Sequence, residues 1–411
     1  MGTFERKTSR GTVSGTCDAK FSGVAETFVE NFEKRDEVGA SVAITLDGKS
    51  VVDLWGGQKT DGGPAWERDT VCIVYSCTKG ASAFCAHMAV DRGLLDFDSK
   101  VEKYWPQFAS NGKEEALVSM MIDHSVGVPG LRDEVKPGGY FDYGYMVERV
   151  AAEKPFWKPG TRNGYHGLTS AWTVGEIVHR STGRRMGKFL ADEIVGPLGI
   201  EFWLGLPEEF ESRVAPIIPY PPDARAAGSR LALAMMADPM GPSGRFLVSL
   251  MGLDINSRAA RAAEIGSGNG VSNARGLAGL YAPLANGGAL NGKRYVGADT
   301  LTRMSRVSVA THEDATLMIP TRFSLGYMKS MDNRRLENAE NCSAILSEPA
   351  FGHVGAGGSI GFADPQCRMS FGYAMNKMGL GILLNDRGQS LVDAAYRALG
   401  YRSNSGGTWT T

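Results

Sequence analysis

The sequence predicts an α+β fold: one antiparallel sheet built from both ends of the chain, flanked by terminal helices, with a mainly helical domain inserted. Strand patterns cluster near the two ends of the 411 residues, and helical spacing dominates between them. Hydrophobic residues make up 43% and charged residues 22%, which permits a large core. We assign residues 20–93 and 301–400 to the sheet domain, 94–300 to the helical domain, and 1–19 and 401–411 to loose termini.

The first part of the chain predicts a helix followed by a β-hairpin. Apolar residues over 21–32 recur at helical spacing. Residues 39–45 and 51–55 are rich in β-branched and aromatic side chains, and the segment 46–49 between them contains Asp and Gly. Two such runs joined by a short turn segment are typical of an antiparallel hairpin.

The later elements follow from the same periodicities and from turn residues. Helices are predicted from residue 76 to about 91–93, over about 168–179, after 272–273 up to about 286, and over about 390–399. Pro283 should kink or shorten the third of these helices. Late strands are predicted over 322–328, over a Gly-rich extended segment at 351–362, and over 368–375.

The segment Tyr75-Ser76-Cys77-Thr78-Lys79-Gly80 lies where an apolar extended run becomes a helix. Residues three apart in a helix share a face and lie about 4.5 Å apart along its axis. This spacing places the amine of Lys79 beside the hydroxyl of Ser76, which needs such a partner to act as a nucleophile. The motif alone also fits a capping Ser followed by a solvated Lys.

Two other stretches carry candidate site residues. Tyr165 lies in a loop before a helix and could present its hydroxyl to a cleft, or it could be an ordinary half-buried tyrosine. The Gly-rich run from 352 to 359 permits close backbone approach, and its free N–H groups could hold an oxyanion. A twisted, bulged strand is the alternative for this run. We interpret His124, at a predicted helix end, as structural.

Taken in order, Tyr75-Ser76-x-x-Lys79, Tyr165-His166-Gly167 and His353-x-Gly355 resemble the serine β-lactamase-like hydrolases. They are similar to class C β-lactamases and more similar to family VIII carboxylesterases. The resemblance spans residues 39–399 and implies a β-lactamase/transpeptidase-like fold with a cleft between its two parts.

The resemblance also implies roles for individual residues. Ser76 would be the nucleophile, and Lys79 and Tyr165 would share the general base and acid work. The backbone N–H groups of Ser76 and Ala356 would form the oxyanion hole. His353, Gly355 and Gly357 would contact substrate.

The sequence departs from the class C pattern at two positions. Gly167 replaces an Asn, and His353 replaces the Lys of a Lys-Thr-Gly segment. Both changes remove groups that could hold a β-lactam. We therefore expect a serine hydrolase that cleaves small carboxylic esters through an acyl-enzyme. The alternatives are a β-lactamase or D-amino-acid peptidase of the same fold, and a non-catalytic penicillin-binding-like scaffold.

Other site classes find little support in the sequence. Gly357-Gly358-Ser359-Ile360-Gly361 matches the Gly-x-Ser-x-Gly elbow pattern, but no His follows His353, so we interpret Ser359 as structural. The histidines lack His-Glu-x-x-His spacing, so neither a metal nor another cofactor is expected.

Charge and composition limit the kinds of partner and the cellular compartment that the sequence suggests. The net charge of −1 suggests neither a nucleic-acid nor a membrane partner. There is no run of 18 apolar residues, and the N-terminus lacks the apolar core of a signal peptide. Six scattered cysteines without a Cys-x-x-Cys pair are typical of reduced thiols in a cytoplasmic protein.

Overall fold

The structure is a computed structural model and describes residues 1–221 and 224–411. Its strands are β1 (Gly2–Thr8), β2 (Gly11–Cys17), β3 (Gly39–Leu46), β4 (Lys49–Gly57), β5 (Cys72–Ile73), β6 (Phe202–Trp203), β7 (Val271–Ser272), β8 (Ala289–Leu290), β9 (Lys293–Arg294), β10 (Val309–Thr311), β11 (Thr321–Phe323), β12 (Phe351–Val354), β13 (Ile360–Asp364) and β14 (Met369–Met375). Its α-helices are α1 (Ser22–Lys34), α2 (Cys77–Asp91), α3 (Val118–Ile122), α4 (Tyr143–Ala152), α5 (Ser170–Thr182), α6 (Met186–Leu190), α7 (Gly196–Leu198), α8 (Ala224–Ala227), α9 (Arg230–Ala237), α10 (Pro242–Met251), α11 (Arg258–Ala262), α12 (Ala274–Ala285), α13 (Ala298–Ser305) and α14 (Asp386–Ala398).

A seven-stranded sheet joins the two ends of the chain in the order β1-β2-β4-β3-β14-β13-β12. Every neighbouring pair in it is antiparallel. Strand β14 pairs along its whole length with β3, so residues more than 300 positions apart form the centre of the sheet. The predicted α+β fold class is confirmed.

Alternation along the strands gives the sheet two different faces. Gly361 and Gly372 are paired across β13 and β14, and α12 packs against them so closely that a Cβ on Gly372 would lie 2.3 Å from the Ala274 carbonyl oxygen. The next residue, Phe362, points to the opposite face because side chains alternate along a strand. Its ring stacks on Tyr396 of α14, with 6.2 Å between ring centroids. The sheet is therefore covered by helices on both faces.

Helix α2 is the element that carries the site, and it is buried on all sides. Every residue from Cys77 to Ala89 is buried, so the helix lacks the polar face of a surface helix. It contacts β12 of the sheet and helices α5 and α6 of the middle part of the chain. These contacts hold α2 between the sheet and the helices of the middle part of the chain.

The prediction of a loose arm at residues 1–19 is wrong. Strands β1 and β2 form a hairpin that extends the sheet beside β4. Val13 is fully buried, but the other residues of the two strands are exposed or half-buried, so their sequence lacks the apolar alternation that identifies a strand. Main-chain pairing, which no side-chain pattern reports, orders this segment.

The prediction of a loose terminus at residues 401–411 is also wrong. The Trp409 N–H donates to the Leu346 carbonyl at 2.9 Å, and the indole stacks on Tyr396 with 5.8 Å between ring centroids. Its indole N–H also donates to Asp393 at 3.1 Å. One buried aromatic side chain thus anchors the end of a polar segment.

Two late strand predictions need correction. The strand expected over 322–328 is interrupted because Gly326 adopts φ +87 and the Ser324 N–H donates to the Tyr327 carbonyl, which makes a turn. The extended run expected over 351–362 is instead the hairpin of β12 and β13, with Gly357 and Gly358 at positive φ in its turn. Both turns use glycine where L side chains rarely fit.

The helix predictions differ mainly at their ends. Helix α12 ends at Ala285, two residues after Pro283. Although α12 lies within the range 94–300 assigned to the helical domain, it packs on the sheet. Helix α14 begins four residues before the predicted start, and Asn385 caps it. No helix in the described ranges is both long and apolar enough to cross a lipid bilayer.

Candidate active site

Ser76 lies at a sharp turn between β5 and α2, at the N-terminus of that helix. The preceding residue, Tyr75, has φ +45, a conformation that non-glycine residues adopt rarely and that marks local backbone strain. Thr78 supports the turn because its hydroxyl donates to the Tyr75 carbonyl and accepts from the Gly270 N–H. The turn leaves the Ser76 side chain partly exposed while the helix behind it is buried.

The Lys79 amine lies 3.2 Å from the Ser76 hydroxyl oxygen, one helical turn along α2. Its other two hydrogen-bond partners are carbonyl oxygens, of Gly167 at 2.7 Å and of Ser267 at 2.9 Å. A neutral amine has two N–H donors and one lone pair. The two carbonyls therefore accept both N–H groups and leave the lone pair directed at Ser76.

Burial lowers the pKa of Lys79 well below its ordinary value of 10.5. The side chain is 6% exposed, and neither carbonyl carries the full negative charge that would stabilise an ammonium. The site therefore favours the neutral amine, the form that can accept a proton.

Tyr165 completes the group around Ser76. Its side chain lines the same cavity as Ser76, and the Lys79 amine lies 4.8 Å from the centre of its ring. Burial raises the pKa of Tyr165 above its ordinary value of 10, which favours the protonated phenol. The Tyr165 backbone N–H donates to the buried Asp314 carboxylate at 2.9 Å, which fixes the loop that carries the ring.

Two backbone N–H groups face the same crevice without partners. Within residues 1–221 and 224–411, neither the Ser76 nor the Ala356 N–H donates a hydrogen bond to the chain. Ala356 is partly exposed in the turn that follows β12, and this turn is closed by the Gly355 N–H donating to the Ser359 carbonyl at 2.8 Å. Free backbone donors beside a nucleophile can stabilise an oxyanion.

Asn385 holds the far side of this turn, a role that the sequence analysis missed. Its amide N–H donates to the Gly357 carbonyl at 2.7 Å, while its amide oxygen caps α14. A Cβ on Gly358 would lie 2.4 Å from the same amide nitrogen, so the turn needs glycine there. An Asn directly before an Asp at a helix start was the available signal.

His353 is buried in β12 and its ring lies 6.1 Å from that of Tyr165. Its Nδ1 lies 2.8 Å from the Val354 carbonyl oxygen and must carry the proton there, which leaves Nε2 as an acceptor. In the described part of the chain Nε2 has no partner. Burial, with a smaller effect from Lys79, lowers the pKa of His353 to about 3, so the ring is neutral.

Two further histidines pack behind Tyr165 as structural residues. The His124 ring lies 4.8 Å from that of Tyr165, and its Nδ1 accepts from the His166 backbone N–H at 3.2 Å. The His166 ring accepts from the Val128 N–H at 2.8 Å, and burial lowers its pKa to about 3. Both rings are neutral spacers that fix the Tyr165 loop.

A cavity of about 280 Å³ opens beside Ser76, and most side chains around it are apolar. The walls come from the turn at Tyr75, the loop at Gly167, helices α9 and α10, and the residues after β14, including Met378 and Ile382. Gly355 and Gly357 flank Ala356 in the turn, and Ala356 itself lines the cavity. Such a lining favours an apolar group next to the reacting carbonyl.

Phe246 of α10 fills the space next to Gly167. A Cβ at position 167 would lie 2.1 Å from the Phe246 ring, and this ring is itself 5% exposed and lies edge-on to Tyr165 at 6.1 Å. The position where the class C pattern has a polar Asn is therefore occupied by an aromatic wall. Periodicity in the sequence could not identify Phe246, because its partner is 79 residues away.

The remaining candidates do not join the site. The Ser359 hydroxyl donates to the Val74 carbonyl at 3.3 Å and accepts from the Cys77 thiol, which fits a structural role. Among the described residues there is no cluster of His, Cys, Asp and Glu able to hold a metal ion.

Comparison with known proteins places these features in a family. A family model described as Beta-lactamase matches residues 24–396. The chain is 34% identical over 381 residues to Esterase/beta-lactamase LipL of Mycobacterium tuberculosis (strain ATCC 25618 / H37Rv), covering 91% of this chain and 85% of that protein.

Two solved structures resemble the chain over nearly its full length. A family VIII carboxylesterase is 35% identical with a TM-score of 0.80, covering 94% of this chain and 99% of that one. A penicillin-binding protein homologue from Caulobacter crescentus is 31% identical with a TM-score of 0.80, again covering 94% and 99%.

Proposed function

The chain belongs to the β-lactamase family and has the fold of its serine hydrolases, and from this premise we propose that it cleaves small carboxylic esters through an acyl-enzyme on Ser76. The observation that carries the proposal is that a desolvated amine lies 3.2 Å from the Ser76 hydroxyl oxygen and the Tyr165 phenol lines the same cavity. Carboxylesterase and esterase appear in the names of two relatives that are at least 34% identical.

The first step is proton transfer from Ser76 to Lys79. The neutral amine accepts the hydroxyl proton across 3.2 Å, while the carbonyls of Gly167 and Ser267 keep its two N–H groups oriented. The ammonium so formed donates to the same carbonyls. Tyr165 does not serve as the first base in this account, because its raised pKa keeps the phenol protonated.

Attack of the Ser76 oxygen on the ester carbonyl then gives a tetrahedral oxyanion. The N–H groups of Ser76 and Ala356 donate to that oxygen. The Tyr165 phenol donates its proton to the leaving alcohol as the carbon–oxygen bond breaks, and Lys79 returns a proton to the phenolate. A water molecule repeats the sequence on the acyl-enzyme, which releases the acid and restores the Ser76 hydroxyl.

The buried, neutral His353 and the cavity-lining Phe246 support an ester over a β-lactam. The side chain at position 353 is a neutral acceptor, so it supplies no positive charge for a substrate carboxylate. Phe246 occupies the position from which a polar side chain at 167 would contact an amide. An uncharged ester needs no positive charge at position 353, and its apolar acyl group can pack against Phe246.

A substrate panel with nucleophile variants tests the proposal. We expect turnover of p-nitrophenyl acetate and butyrate, with slower or no turnover of nitrocefin and D-alanyl p-nitroanilide. Ser76→Ala should lose ester turnover by several orders of magnitude, as removal of a nucleophile does elsewhere. Ser181→Ala, at the end of α5 outside the cavity, is the matched control and should keep it.

Each outcome of the panel decides between the candidate functions. Ester turnover that survives in Ser76→Ala would refute the nucleophile. If nitrocefin or the D-alanyl anilide is turned over faster than either ester, the protein is an amide-cleaving hydrolase rather than an esterase. No turnover of any substrate by a folded protein would favour a non-catalytic scaffold.

A further inference from the structure

The exposed large apolar side chains in the described parts of the chain are concentrated on two neighbouring helices and the link between them. Six of the eight large apolar residues exposed in the described parts of the chain lie on α9, α10 and the link between them, which we call the 230–251 hairpin: Leu233, Met236, Met240, Val248, Leu250 and Met251. The two most exposed, Met236 and Met251, are 70% and 79% accessible. Scattered exposed apolar residues are ordinary, but a cluster of six is not.

Three polar side chains of the hairpin bond to the body of the protein, although the Arg230 guanidinium also reaches the exposed Glu313. The Arg230 guanidinium donates to the Met318 carbonyl at 2.6 Å, and that of Arg245 donates to the Leu131 carbonyl at 2.7 Å. The Ser243 hydroxyl donates to the Thr316 carbonyl at 2.7 Å. Hydrogen bonds thus hold the hairpin to the body of the protein, while methionines face outward.

The same hairpin forms part of the wall of the cavity beside Ser76. Leu231, Phe246, Leu247 and Leu250 all line that cavity. Leu250 is also 40% exposed, so it belongs both to the cavity wall and to the outer apolar surface. The apolar surface is therefore continuous from the outside of α10 to the crevice that holds the nucleophile.

The hairpin also carries almost no free charge. Between residues 230 and 251 the sequence has one acidic residue, Asp238, and two basic residues, Arg230 and Arg245, and Arg230 pairs with Glu313 at 3.2 Å. Asp238 accepts from the Met240 backbone N–H at 3.2 Å, and Arg245 is bonded inward. A surface of this kind gains little from a charged partner and gains from burial of its methionines and leucines.

We propose that the 230–251 hairpin docks on the surface of aggregated, uncharged amphiphilic esters, so that a substrate molecule moves past Leu250 into the cavity beside Ser76. The proposal rests on the esterase function above and names the physical form of its substrate. The net charge of the chain led us to expect no membrane partner. The proposal limits that expectation to binding driven by charge, because the hairpin would bind an apolar interface without charge attraction. A second copy of the chain on this face would instead cover Leu250 and block the cavity.

Vesicle flotation tests the docking directly. The wild-type chain should bind phosphatidylcholine vesicles, and neither added phosphatidylglycerol nor high salt should change the affinity much. The double variant Met236→Gln/Met251→Gln should bind about a hundredfold more weakly, since each buried apolar side chain contributes roughly a tenfold factor. Leu94→Gln, another exposed apolar residue outside the cavity lining, is the matched control and should bind as wild type.

Activity assays separate this proposal from the esterase function on which it rests. The double variant should hydrolyse dissolved p-nitrophenyl acetate at the wild-type rate and lose most activity on an emulsified long-chain p-nitrophenyl ester. If p-nitrophenyl acetate is not hydrolysed by wild type, the esterase function fails. If it is hydrolysed but the chain does not bind vesicles, the docking proposal fails. A dimer that the double variant abolishes, without vesicle binding, would assign the hairpin to self-association and overturn the proposal.

Discussion

A single added methyl group at position 167 tests the packing that positions Lys79. Gly167→Ala would place a Cβ 2.1 Å from one Phe246 ring carbon and 2.6 Å from another, far inside van der Waals contact. The backbone of Gly167 does not lie in the left-handed region, so alanine meets no conformational penalty there. The effect must therefore come from the collision alone, which either the ring or the loop has to relieve.

The expected magnitude follows from what each group contacts. Overpacking a buried site typically costs about 1–3 kcal/mol of folding free energy. The Gly167 carbonyl accepts from Lys79 at 2.7 Å, so a shift of the loop also moves the amine relative to Ser76. A misplacement of about 1 Å near reacting groups can lower the rate by roughly a hundredfold. We expect a loss of this order in kcat, with a smaller change in KM.

A double-mutant cycle with Phe246→Ala is the assay. Phe246→Ala alone should destabilise by about 3–5 kcal/mol, as truncation of a buried Phe does. The double variant should cost less than the sum of the single changes by about 1–3 kcal/mol, because the new methyl group then occupies space left by the ring. Gly144→Ala in α4, whose Cβ would come no closer than 3.8 Å to its nearest neighbour, is the matched control.

Urea unfolding gives the stabilities, and p-nitrophenyl butyrate hydrolysis gives kcat and KM. Strict additivity of the two free-energy changes would refute the proposed contact. Full activity of Gly167→Ala would show that the Lys79 geometry does not depend on the fit between Gly167 and Phe246.

Three more predictions follow from the site. The ratio kcat/KM should rise with pH and reach a plateau well below pH 10.5, because catalysis needs neutral Lys79 and burial lowers its pKa. The Lys79→Met variant should lose this pH dependence along with most turnover. A rise of kcat/KM with its midpoint at pH 10.5 would contradict the account. The Asn385→Ser variant should keep the cap of α14 but lose the hydrogen bond to the Gly357 carbonyl. Its kcat should fall by about tenfold with KM unchanged, which is less than the roughly hundredfold loss that follows removal of a whole oxyanion donor. The control Asn273→Ser, at the N-cap of α12, should leave kcat unchanged. Stability should fall as the pH drops below 6.5, since burial lowers the pKa of four histidines and keeps them neutral when folded, while the unfolded chain binds protons first. At pH 5.5 the loss is about 1.4 kcal/mol for each histidine, or about 6 kcal/mol in all. An unfolding free energy unchanged from about pH 7.5 to 5.5 would contradict the assignment to His87, His124, His166 and His353.

The sequence predicted those parts of the fold whose stability comes from apolar side chains at regular spacing. Helix α1 was found because its apolar residues recur with the period of a helix, and the β3–β4 hairpin because two runs of β-branched and aromatic residues flank a short turn segment. The β1–β2 hairpin was missed because its pairing uses main-chain hydrogen bonds and its side chains, apart from that of Val13, are exposed or half-buried. Trp409 anchors the C-terminal segment through contacts that no local pattern encodes.

The candidate site divides in a similar way. Ser76 and Lys79 were identifiable because they are three residues apart in the chain at the start of one helix. Tyr165 was a candidate from its place in a loop before a helix, and its role came from the resemblance to a family. The Ser267 carbonyl could not be predicted, because a backbone acceptor carries no residue signature. Phe246 and Asn385 act through tertiary packing across long separations in the chain.

The central claim is that Ser76 becomes acylated, and intact-mass spectrometry after rapid acid quenching tests it most directly. Wild-type protein mixed with p-nitrophenyl butyrate should gain the mass of one butyryl group, and peptide mapping should locate that group on Ser76. The Ser76→Ala variant should show no mass increase under the same conditions. A butyryl group on any other residue, or ester turnover in Ser76→Ala at the wild-type rate, would contradict the account.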